Sequence, residues 1–126
     1  MNIKKLVAGS MLSMLMASEM AAADWGDVYY CQMTNFDKIK LEGEKENYTL
    51  EKFQFKLDQT KNAMVFGSTG FFQGAVYKLT KNKNHPEQEL WYANDSYSIF
   101  FFDTGKFMFT RNAINATVIS ADCEKF

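Results

Sequence analysis

The run Lys52-Phe53-Gln54-Phe55-Lys56-Leu57 alternates polar and apolar residues without a break. Successive side chains of a strand point to opposite faces. Phe53, Phe55 and Leu57 would therefore share one side, and Lys52, Gln54 and Lys56 the other. A helix would scatter the three apolar residues around its circumference. "YTLEKFQFKLD" (48–58) is thus predicted to be a strand with one dry face and one wet face.

The rest of the chain repeats segments of this kind. "DVYYCQMT" (27–34), "KIKLE" (38–42), "NAMVFG" (62–67), "GFFQGAVYKLT" (70–80), "ELWYAN" (89–94) and "NATVISADC" (115–123) favour extended structure. So do the two halves of "YSIFFFDTGKFMFTRN" (97–112). Turn-forming groups separate them: "NFD", "GEKEN", "QTK", "GSTG", "AND" and "DTG". Short joins make successive strands antiparallel neighbours. The longest polar break, "KNKNHPEQ" (81–88), holds the only histidine, His85, and the only proline.

The first segment reads as a leader for export. A basic "MNIKK" precedes the apolar "LVAGSMLSMLMA" (6–17), and "SEMAAA" ends in small residues suited to cleavage after Ala23. The apolar run is shorter than the roughly 20 residues that cross a bilayer. Such a leader is of the bacterial Sec type and implies a periplasmic or secreted protein with no membrane span after cleavage. Residues 24–126 then form a single domain. All twenty aromatic residues fall in it. The formal net charge of the whole chain is −1, with both signs mixed along it, which argues against a nucleic-acid-binding face.

Cys31 and Cys123 are the only cysteines, one near each end of this domain. In an oxidising compartment they are expected to form one disulfide. Such a bond would make the first and last strands neighbours. In an up-and-down meander of eight or nine strands, that closes the sheet on itself and removes both free edges. The predicted fold is all-β, a small antiparallel up-and-down β-barrel, with a two-sheet β-sandwich as the alternative.

The aromatic hairpin (97–112) sharpens the functional question. "DTG" predicts a three-residue loop with Gly105 left-handed, which sets Phe102 opposite Lys106, Phe101 opposite Phe107 and Ile99 opposite Phe109. One face would collect Tyr97, Ile99, Phe101, Phe107 and Phe109, with Arg111 at its end. The other would hold Ser98, Phe100, Phe102, Met108 and Thr110. A two-residue loop slips this register but leaves both faces apolar. One face lies in the core. The other could be covered by the N-terminal "ADWG" segment or a loop, by a protein partner, or by an apolar ligand inside the barrel. A membrane barrel is disfavoured, because Glu124, Asp122 and Ser120 occupy the alternate positions before the terminal Phe126.

Catalytic groupings are scarce. His85 stands alone in a polar loop, and no His/Cys/Asp cluster has metal-ligand spacing. Asp95 and Asp103 sit at expected turns, where such residues serve backbone geometry. No catalytic residue, metal or cofactor is predicted. "GSTGFFQG" leads into a strand, so it reads as a turn and not a phosphate cradle. "ELWYAND" would bring Trp91, Tyr92, Asn94 and Asp95 together near one end of the domain.

In layout the chain resembles small secreted inhibitors of C-type lysozyme, β-barrels with a cysteine in the first strand and a disulfide near the ends. "VYYCQM" and "ADCEKF" carry the resemblance. The inhibitory loop of that family has no counterpart here, so no functional residue transfers.

The expected function is that of an exported, non-catalytic binding protein. It would hold an apolar small molecule in the barrel or present an aromatic surface to a protein. Trp91, Tyr92, Phe100, Phe102, Met108 and Arg111 are the candidate binding residues. A protein–protein interaction module or secreted inhibitor is the alternative, and a hydrolytic enzyme a distant third.

Overall fold

The computed structural model describes residues 23–81, 91–103 and 105–126. Nine strands follow in chain order: β1 (Val28–Ile39), β2 (Lys45–Asn47), β3 (Lys52–Asp58), β4 (Ala63–Phe66), β5 (Val76–Lys81), β6 (Trp91–Asn94), β7 (Ser98–Asp103), β8 (Lys106–Asn112) and β9 (Ala116–Lys125). All pairings are antiparallel, and each strand from β3 onward pairs with the next. β1 also pairs with β9, which closes an eight-stranded barrel, and β2 adds to the far half of β1. The predicted all-β barrel with joined ends is what the chain forms. All of the expected leader (1–23) except Ala23, together with His85 and most of the long polar break, lies outside the described residues.

Cys31 and Cys123 stand directly opposite one another on the closing seam and are disulfide-bonded. The disulfide fits a protein of an oxidising compartment. Among the described residues no helix is long and apolar enough to cross a membrane.

Several segments differ from expectation: "KIKLE" is strand only to Ile39, where β1 ends, the expected turn "GEKEN" holds β2, and three further differences shape the barrel. "NFD" is no turn, because β1 runs unbroken through it to Ile39. The strand absorbs the polar residues with a bulge at Thr34, where its register on β9 shifts. Thr34 and Asn35 both reach the hydroxyl of Ser120, at 2.8 and 2.7 Å. Two residues opposing one is the signature of a bulge. The strand expected from Gly70 starts only at Val76. The residues before it form a loop that folds back over the barrel end and inserts Phe72, which stacks on Phe66 at 4.7 Å. The third difference is the hairpin register. Asp103 pairs with Lys106, so the β7–β8 loop has two residues instead of three. Gly105 is left-handed as predicted.

The two-residue loop decides which phenylalanines face inward. Phe102 opposes Phe107 and Phe100 opposes Phe109, and all four point into the barrel. With Phe53, Phe55, Phe66 and Phe72 they fill it with rings in mutual contact. Ala93 and Ala121 lie among them and make room for the large neighbours. An eight-stranded barrel has an interior that side chains can fill in this way. The other end is closed by Trp25, whose ring meets Trp91 edge-on at 4.9 Å. The "ADWG" segment thus caps a barrel end, and among the described residues none covers the outside of the hairpin.

The Phe72 loop depends on Gly70, which has φ +83°, and a Cβ there would meet the Glu51 carboxylate oxygen Oε1 at 2.8 Å. That same oxygen accepts the Phe71 N–H at 2.9 Å. Gly70→Ala is therefore expected to destabilise the fold by about 1–2 kcal/mol in urea unfolding, because it forces a left-handed L-residue and displaces the anchor.

Candidate functional site

Strand alternation sorts the six candidate residues into three places. Trp91, Phe100 and Phe102 face inward, and the two phenylalanines are 0% exposed. Phe100 and Phe102 therefore form no outward patch with Met108. The expected grouping followed from the three-residue loop, and the shorter loop exchanges their face with that of Phe101. Tyr92 and Met108 point outward, and Arg111 lies at the barrel end near the β6–β7 turn. β6 spans the barrel wall, so Trp91 and Asp95 sit toward opposite ends and "ELWYAND" makes no single cluster.

The outward residues do make a continuous surface. Tyr92, Phe101, Met108 and Ser120 are register partners across β6, β7, β8 and β9. The Tyr92 and Phe101 rings pack at 5.2 Å. The neighbouring outward row adds Ile99 and Val118. Phe101, Ile99 and Val118 are each 37% exposed and Met108 46%. A shallow groove of about 500 Å³ runs beside them over β7–β9 to Thr34 of the bulge. One edge of this groove carries the Lys106–Asp122 ion pair, 2.7 Å long. Both partners are well exposed, so the pair contributes little to stability and serves as a polar rim.

Phe101, Ile99 and Val118 were not among the sequence candidates. The parity of "IFFF" relative to the turn would have found Ile99 and Phe101, had the loop been read as two residues, while Val118 joins them only through the β8–β9 register.

The polar groups at the barrel ends are held in structural roles. Asp95 accepts the N–H groups of Tyr97 and Ser98 at 2.9 and 2.8 Å. The Tyr97 N–H holds its carboxyl below the usual carboxylate range; partial burial opposes this, and the Ser98 N–H and Arg111 assist. Asp103 ends β7 at the other end of the barrel. At about 3.3 Å per residue, the two carboxylates are far too distant to act as a pair. Among the described residues no three His, Cys, Asp or Glu side chains converge as a metal site would require.

Tyr29 is the most perturbed titrating group. Burial pushes its phenol up to about 12, with Asp27 adding to the effect through its charge and a 3.4 Å hydrogen bond. A raised phenol contributes stability that is complete below pH 10 and is lost as the pH rises to about 12. A tyrosinate absorbance titration is expected to show a late phase near pH 12, absent in Tyr29→Phe, together with falling stability across that window.

Comparison with protein-family models, curated proteins and solved structures gives no match to this chain.

Proposed function

We propose that this chain is an exported, non-catalytic binding protein that docks a protein partner through the outer face of β6–β9. The observation that carries the reading is the row Tyr92–Phe101–Met108. Three large apolar side chains lie side by side on the outside of a barrel whose inside is already filled. Large apolar side chains grouped outside a filled core mark interaction surfaces more often than chance exposure. Aromatic residues and methionine are also enriched at such interfaces.

The partner's matching surface is apolar at its centre, with a carboxylate and a cation placed to meet Lys106 and Asp122. Inhibition of a secreted enzyme is one form that such a relation takes. Storage of an apolar molecule inside the barrel has less support, because the rings of Phe55, Phe66, Phe72, Phe100, Phe102, Phe107 and Phe109 occupy that volume.

The test is site-specific photo-crosslinking in the native envelope, combined with native mass spectrometry of the purified protein. A crosslinker at position 108 should capture one stoichiometric protein, and one at Lys56 on β3 should not. Phe101→Asp should abolish the capture while the disulfide-bonded barrel still forms. Equal capture from both positions, or an extractable small molecule in place of a protein, overturns the proposal.

A further inference from the structure

The barrel end opposite Trp25 and Trp91 carries a second feature, separate from the outer face. Its connecting turns lie wholly within the described residues. The last inward-facing row before this mouth is Lys38 on β1, Thr117 on β9, Arg111 on β8 and Ser98 on β7, all register partners. Beneath it lies the apolar row of Phe36, Ile119, Phe109 and Phe100. Lys38, Arg111, Thr117 and Asn115 line one cleft of about 330 Å³, with Phe71 and Ile114 as its apolar walls.

The side chains around this cleft give it a ligand chemistry. Thr117 is only 7% exposed, and it lines the cleft. Arg111 forms no ion pair among the described residues. The nearest acidic groups act on these cations only through charge, Glu46 on Lys38 and Asp95 on Arg111, and bond other partners. Glu46 is held by Lys40 at 2.9 Å and by the Tyr48 hydroxyl at 2.7 Å, and Asp95 is held by backbone N–H groups. Lys38 rests its ammonium over the Tyr48 ring at 5.7 Å. Asn115 has its carbonyl oxygen occupied by the Leu41 N–H, which leaves the amide NH₂ as a donor. The cleft therefore offers donors and positive charge above an aromatic wall.

We propose that this mouth binds a small carboxylate with a short apolar body. The carboxylate would sit between Arg111 and Thr117, and the body would lie against Phe71 and Ile114. A guanidinium presents two parallel N–H groups that match a carboxylate, and a cleft of this size is at the small end of ligand sites. Six to eight carbon atoms is the fitting scale.

The experiment is an amide NMR titration of the full disulfide-bonded protein with hexanoate, hexanol, acetate and inorganic phosphate. Hexanoate should shift the amides of Lys38, Arg111, Asn115 and Thr117, and bind at least about tenfold tighter than the other three probes. Arg111→Gln should weaken hexanoate about tenfold, and Thr117→Val about threefold, with the remaining spectrum unchanged. Raising salt from about 20 mM to about 200 mM should weaken binding to the unmodified protein several-fold, which needs no variant to fold. Hexanol equal to hexanoate, phosphate as tight as hexanoate, shifts mapping elsewhere, or insensitivity to salt each overturn the proposal.

Discussion

Replacing Cys31 and Cys123 together by alanine should cost the barrel roughly 2–5 kcal/mol in urea unfolding, with reduction of the unmodified protein giving a similar loss. The two residues are 92 apart in sequence, so the bond closes a loop that takes in almost all of the described chain. In the chain-entropy account, constraint of so long a loop in the unfolded state has a ceiling of about 4–5 kcal/mol. Alanine is the informative replacement, because both side chains are buried and serine would add hydroxyls without partners. The barrel should nevertheless remain closed in the variant. β1 and β9 pair along nearly their whole lengths, from Tyr29 opposite Lys125 to Ile39 opposite Ala116. Near-ultraviolet circular dichroism should therefore stay native-like at 25 °C while the urea midpoint falls. A loss below about 0.5 kcal/mol would mean that the covalent link contributes nothing beyond the β1–β9 ladder.

The closing seam was legible in the sequence because it needed only coarse information. One cysteine near each end and strands joined by short turns lead to a closed meander whatever the register of each pair. "KFQFKL" was equally clear, since its alternation matches the buried and exposed faces of β3 residue by residue. The segments that misled are those where one residue changes the outcome. Thr34 bulges, so the turn-like "NFD" continues a strand. Gly70 is left-handed and starts a loop, so Phe72 reaches the core from outside any strand. Propensity alone cannot separate a strand phenylalanine from one on a loop that folds inward, because burial is decided by the rest of the fold.

The candidate surfaces were harder to read for the same reason. Arg111 was picked out at the end of an aromatic face, but its companions Lys38 and Thr117 come from β1 and β9. Lys38 and Arg111 stand 73 positions apart in the chain, and only barrel closure sets both beside Thr117. The outer patch had a local cause. Whether Phe100 or Phe101 points outward depends on one residue of loop length, since a single-residue slip exchanges the faces of a strand.

That dependence makes the neighbouring pair Phe100 and Phe101 the most discriminating test of the structure. Phe100→Ala should destabilise the protein by about 3–5 kcal/mol, the range for deleting a buried phenylalanine ring. Its ring packs on Tyr77 at 4.2 Å and Phe109 at 4.8 Å, and also on Phe66, Phe72 and Phe107. No single shift of neighbours refills so central a site, so the cavity persists. Phe101→Ala removes a ring whose contact is with Tyr92 on the outer face, and should cost less than about 1 kcal/mol. The two effects should also divide by function. Phe101→Ala should weaken partner capture through position 108 in a protein of near-normal stability. If Phe101→Ala proved the more damaging to stability, the β7–β8 register would be the three-residue one, and the outer face would hold Phe100 and Phe102 instead.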